Sequence, residues 1–147
     1  MNPEFPITIY HNAKCGTSRN ALAIITAAGH APTVVEYLTV GWTRAGLNEL
    51  MSRSGLSARE FLREKEPWAA KLGLLAPEVS PDTIIEAMIA HPELVNRPIV
   101  ATPLGVRLCR PSERVLDLLD RRSEAFTKED GEVVIHAGMA VLSSPET

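Results

Sequence analysis

Cysteine is scarce in this chain, with two in 147 residues, Cys15 and Cys109. That is too few for a disulfide framework or a four-cysteine zinc site. No C-x2-C or H-x3-H spacing occurs either, so no bound metal is expected. Long apolar runs are missing: none approaches the ~18 residues of a membrane span, so no membrane association is expected. Positive charge is not in excess. Lys plus Arg is 15 against 18 for Asp plus Glu, a net charge of −3. The chain therefore lacks the basic footprint of a nucleic-acid binder. The opening residues Met1-Asn2-Pro3-Glu4-Phe5-Pro6 hold no basic stretch followed by an apolar one. No secretory signal is expected, and the cytoplasm is the expected compartment. A thiol there stays reduced unless chemistry oxidises it.

What is present is an ordinary globular composition, 45% apolar, which excludes a disordered chain. No repeat, low-complexity tract or Gly/Ser linker divides it, so one domain over 1–147 is expected. Ile7-Thr8-Ile9-Tyr10 is β-branched and aromatic and predicts a strand. A polar turn, His11 to Thr17, follows. Ser18 to about Ala28 predicts a helix, with Leu22, Ile24 and Ile25 on its buried face and Gly29 as its stop. Thr33 to Leu38 predicts a second strand, completing a βαβ unit with a parallel pair.

A helical insertion is expected over about 43–91. Thr43 caps a helix carrying Leu47, Leu50 and Met51 that stops at Gly55. Ser57 and Glu60 form a capping box. Ser80-Pro81 opens a helix with the apolar stripe Ile84, Ile85, Met88 and Ile89, ended by Pro92. Strands return at Ile99–Thr102 and Val106–Cys109, too closely linked for anything but an antiparallel hairpin. Pro111 opens a helix through Val115, Leu116, Leu118 and Leu119. A further helix is expected from Thr127, and 143–147 is expected to be a flexible tail. The order β-α-β, helical insertion, β-β-α predicts an α/β fold with a thioredoxin-like mixed sheet.

Cys15 falls where a strand ends and a helix begins. The backbone N–H groups of Gly16, Thr17, Ser18 and Arg19 are free at such a start, and the helix dipole adds partial positive charge. Both favour thiolate over thiol and offer a cradle for an anion. Lys14, Arg19 and His11 are near in sequence. Cys15-Gly16-Thr17-Ser18 is C-x-x-S, so no resolving cysteine waits within the motif. A phosphatase-type C-x5-R loop is also absent, because Ala21 stands where its arginine would be. In a thioredoxin-like fold the proline before the third strand lies against the active cysteine. Pro98 has that place, and a cis Arg97-Pro98 bond is expected. Guanidinium groups around a thiol would grip a tetrahedral oxyanion. Spacing alone leaves Arg59, Arg63, Arg97, Arg107 and Arg110 all eligible. Trp42, Trp68 and Cys109 read as packing residues, and His30 after a helix stop, His91 at a helix end and His136 in the tail read as residues without a catalytic role.

Ile7-Thr8-Ile9-Tyr10-His11-Asn12, Cys15-Gly16-Thr17-Ser18-Arg19-Asn20, Asn96-Arg97-Pro98-Ile99-Val100, Thr102-Pro103-Leu104-Gly105 and Arg107-Leu108-Cys109-Arg110-Pro111-Ser112-Glu113 closely resemble the glutaredoxin-coupled arsenate reductases. Lys128-Glu129-Asp130-Gly131-Glu132 is similar to that family as well. The resemblance implies a thioredoxin-like enzyme that reduces arsenate to arsenite, with glutathione as co-substrate, glutaredoxin as partner and no bound cofactor. It implies Cys15 as nucleophile and Arg63, Arg97 and Arg110 as the oxyanion-binding arginines. His11 would favour the thiolate, and Ser18 would bond near the sulfur. Ala13 stands where many members have proline, and Lys14 adds a cation beside Cys15. Two other readings fit the fold. One is a thiol enzyme acting on glutathione adducts, and the other is a thiol-stress regulator that binds RNA polymerase.

Overall fold

The computed structural model describes residues 5–136 and 139–140. The chain divides into two compact units, Met1–Val35 with Arg97–Thr147, and Glu36–Asn96.

The first unit is built on a four-stranded mixed sheet in the order β2-β1-β3-β4. The strands are β1 (Thr8–His11), β2 (Thr33–Glu36), β3 (Ile99–Thr102) and β4 (Gly105–Leu108). Helix α1 (Gly16–Ala27) connects β1 to β2, and β2 returns beside β1, where Thr33 N–H donates to Ile7 O at 2.8 Å. β3 is antiparallel to both its neighbours, pairing Thr8 with Ala101 and Ile99 with Leu108. All four β3 residues are buried, as a central strand covered on both faces requires. The sheet is thioredoxin-like, as the element order predicts. The β3–β4 turn is fixed by Thr102. Its hydroxyl donates to Leu118 O at 2.7 Å and accepts the Leu104 N–H at 3.1 Å.

Ile24, Ile25 and Ala21 of α1 pack with Ile7, Ile9, Val100 and Val115 in one apolar cluster. Burying each large aliphatic there contributes about 1.5–3 kcal/mol. α1 ends where expected, at Gly29 with φ +92°, a conformation that a β-carbon would strain.

Four expectations need correction. The second strand ends at Glu36, not Leu38, because the chain turns into helix α2 (Tyr37–Val40), which buries the Tyr37 ring. Burial of a large aromatic outweighs the strand propensity of the residues beside it. The helix expected after Pro111 is a 3-10 helix over Ser112–Leu118. The helix expected from Thr127 is replaced by strands β5 (Phe126–Thr127), β6 (Val133–His136) and β7 (Met139–Ala140), paired antiparallel. Gly131 at φ +94° turns the chain, and Val134 and Ile135 bury against the α1 cluster. That burial and their β-branching favour strand over helix. The fourth concerns Ile89, 37% exposed, which lies outside its helix's buried stripe. The tail at 143–147 lies outside the described residues.

The second unit holds α2, α3 (Arg44–Ser54), α4 (Ala58–Phe61), α5 (Pro67–Lys71), α6 (Pro81–Ala90) and a 3-10 turn at Pro92–Leu94. The expected caps are present. Thr43 accepts from Gly46 N–H, Ser57 and Glu60 form the reciprocal box, and Ser80 accepts from Thr83 N–H. Leu62 bridges Val95, and Ile84, Ile85 and Met88 are buried. Among the described residues no helix is long and apolar enough to cross a membrane.

Candidate active site

β1 delivers the chain into the turn His11–Cys15, and Cys15 becomes the N-cap of α1. Asn12 shapes this turn. Its side-chain oxygen accepts the Lys14 N–H at 2.9 Å, and its carbonyl accepts the Cys15 N–H at 3.0 Å. Ser18, fully buried in the first turn of α1, ties the helix back to the strand. Its hydroxyl lies 2.6 Å from His11 Nδ1 and accepts the Asn12 N–H at 3.1 Å. The sequence puts His11 and Ser18 near Cys15, and the structure joins them in a buried brace between β1 and the first turn of α1. Asn12 and Ser112 were missed as site residues. Ser112 Oγ donates to Thr17 O at 2.8 Å, pinning the first turn of α1 to the segment after Arg110.

Cys15 is 9% exposed. Burial pushes the Cys15 thiol up, but the opposing interactions win and its pKa lies below the ordinary value. A hydrogen bond from the Arg97 side chain is the largest of these. The Ser18 N–H, turned to the sulfur without closing a full capping bond, comes next, followed by the Arg97 charge and the Arg110 guanidinium. Arg110 Nη1 lies 3.8 Å from Sγ and also donates to Arg97 O at 3.0 Å, so one arginine's backbone holds the other's head group. The Arg97-Pro98 bond is cis, as expected, and Arg110-Pro111 is cis too. A thiolate with two guanidinium groups and the open N–H groups of Gly16 and Thr17 can attack a tetrahedral oxyanion and hold its charge.

The other arginines separate. Arg107 pairs with Asp117 at 3.1 Å on the surface. Arg59, in the second unit, donates to Leu74 O and Ala76 O. Arg63 follows α4 in the second unit, where its N–H donates to Leu94 O at 2.8 Å. Two of the remaining histidines have structural partners. His30 is buried 2.8 Å from Asp120, and His91 stacks on Trp68. His136 lies in β6. Among the described residues no His, Cys, Asp or Glu cluster has metal-binding geometry.

Comparison with known proteins fits this geometry. An arsenate reductase of Rhizobium meliloti (strain 1021) is 53% identical over 133 residues, 90% of this chain and 95% of that protein. One from Synechocystis sp. is 55% identical over 133 residues, 90% of this chain and 92% of that protein. The solved arsenate reductase from Vibrio cholerae superposes with a TM-score of 0.75 at 38% identity, over 78% of this chain and 98% of that one. The ArsC family model matches residues 10–118, which include Cys15, Arg97 and Arg110, and the chain belongs to the ArsC family.

Proposed function

We propose that this chain reduces arsenate to arsenite through Cys15, with glutathione and glutaredoxin as electron donors. The observation that carries the reading is a buried sulfur at the mouth of α1 with Arg97 and Arg110 turned on it. The reductase relatives support the substrate. Arg97, Arg110 and the N–H groups of Gly16 and Thr17 bind the oxyanion.

Cys15 thiolate attacks arsenic, an As–O bond breaks, and that oxygen leaves as water after taking a proton. The arginines balance the oxyanion charge in a partly dry pocket, where such interactions are strong. The Cys15 sulfur is then attacked by glutathione thiolate. The S–As bond breaks, and its electron pair stays on arsenic, reducing it from the +5 to the +3 state. Cys15 is left in a mixed disulfide with glutathione, and arsenite departs. Glutaredoxin frees Cys15 by thiol exchange. The C-x-x-S motif needs this outside thiol because it holds no second cysteine of its own. A catalytic thiol that must return to the reduced state suits the cytoplasm.

The test is a coupled assay with arsenate, glutathione, glutaredoxin, glutathione reductase and NADPH. Arsenate-dependent NADPH oxidation that disappears when glutaredoxin is omitted is expected. NADPH loss equal with and without arsenate would end the reading.

A further inference from the structure

The mechanism leaves the last hairpin without a role, yet its turn is firmly built. Lys128 N–H donates to Glu132 O at 2.8 Å and Gly131 N–H to Lys128 O at 2.9 Å. The Lys128 side chain is 8% exposed, and its ammonium sits 2.8 Å from Glu113 and 2.7 Å from Glu132. Glu113 belongs to the 3-10 helix just after Arg110 and Pro111, so this ion pair docks the turn on the segment that carries Arg110.

The turn then reaches the nucleophile's own helix. Glu129 N–H donates to Asn20 Oδ1 at 3.1 Å, and its carboxylate takes Arg19 Nε at 2.8 Å and Nη2 at 3.0 Å. The remaining arm of Arg19, Nη1, donates to Ala13 O at 2.8 Å, inside the turn that presents Cys15. A β-carbon on Gly16 would lie 3.6 Å from Arg19 Nη2 and 3.8 Å from Glu129 Oε1. The ion pair therefore lies across the residue that follows the cysteine.

We propose that Glu129 is a positioning residue for the Cys15 thiol and acts through Arg19. The proposal rests on Cys15 being the nucleophile. A lone surface ion pair contributes little, but a two-pronged arginine–carboxylate bond fixes a plane. Here that plane aims the third arm at Ala13 O and keeps a cation near the sulfur. Without Glu129 the arginine regains its rotamers, and the Ala13 tether gives way to water. Among the described residues, the charged groups acting on Cys15 are Arg97 before β3, Arg110 after β4 and Arg19 on α1; Lys14 is its chain neighbour, Glu129 is bonded to Arg19, and His11 of β1 is bonded to Ser18. Charge alone predicts that deleting the Glu129 carboxylate favours the thiolate. Positioning predicts the reverse.

The experiment follows iodoacetamide alkylation of Cys15 across pH, by mass of the modified peptide, with a thermal midpoint for each variant. Glu129→Ala should slow alkylation at neutral pH about threefold and move the profile to higher pH. The exchange Arg19→Glu with Glu129→Arg should recover the thermal midpoint by restoring the ion pair, while alkylation stays slow. Unchanged or faster alkylation in Glu129→Ala overturns the proposal, as does recovery of both properties in the exchanged pair. Should Glu129→Ala not fold, Glu129→Gln decides in its place, with slower alkylation expected and an unchanged rate against it. Because alkylation needs no arsenate, a wild-type protein without arsenate turnover would defeat the proposed function and leave this test decidable.

Discussion

Cys15 and Cys109 sit in the same unit and carry the same side chain, but their surroundings drive them in opposite directions. Cys109 is 0% exposed, within the apolar cluster formed by α1, β3 and the 3-10 helix. Burial pushes its thiol up to about 12, and the charges of Arg107 and Arg114 do not offset this. Cys15 also suffers burial. The difference is that hydrogen-bond donors point at its sulfur, Arg97 foremost, and its pKa falls. Burial without donors makes a cysteine inert; burial with donors makes a nucleophile.

The largest expected effect separates the pair outright. Cys15→Ser should cut arsenate turnover about a thousandfold or more, and Cys109→Ala should change it less than about twofold. A folded Cys109→Ala variant without turnover would break the contrast and make Cys109 a resolving thiol. The next effect lies in the donors. Arg97→Ala should lower kcat/KM for arsenate about a hundredfold and shift Cys15 alkylation to higher pH. Arg110→Ala should act in the same direction, about tenfold, since Arg97 remains.

The third effect is a pH dependence of stability set by Cys109. Its folded pKa lies above its unfolded value, so the unfolded chain loses the proton first. Stability therefore holds below about pH 8.5 and declines as pH rises from there toward 12. At about pH 10 the loss is on the order of 2 kcal/mol, measured as a drop in the urea midpoint. Cys109→Val should lack that component of the drop, and an identical pH dependence in the variant would contradict the assignment. The smallest effect is Ser18→Ala. It removes the hydroxyl between His11 and Asn12 and should cost about 1–2 kcal/mol of stability. Its backbone N–H still faces the sulfur, so the alkylation profile should move little.

Local signals in the sequence were legible. Thr43, Ser57 with Glu60, and Ser80 each cap a helix by reaching an N–H a few residues on, a distance that a reader of the chain can see. Cys15 before Gly16-Thr17-Ser18 likewise marks a strand-to-helix turn. Long-range partners were not legible in the same way. Arg110 meets Cys15 across 95 positions and Glu129 meets Arg19 across 110, and spacing gave no means of preferring Arg97 and Arg110 to Arg59 or Arg107. The family resemblance supplied that preference. The helix expected from Thr127 gives way to a hairpin. The Asp130-Gly131 turn and the β-branched Val133-Val134-Ile135 run decide for strands once Val134 and Ile135 find the core.

The mechanism stands on Cys15 giving up its proton more readily than an ordinary thiol. Ultraviolet thiolate absorbance, titrated in the wild type against Cys15→Ser, isolates that one sulfur. The account predicts a difference curve with its midpoint clearly below the ordinary thiol value of about 8.5. A midpoint at or above that value would contradict it.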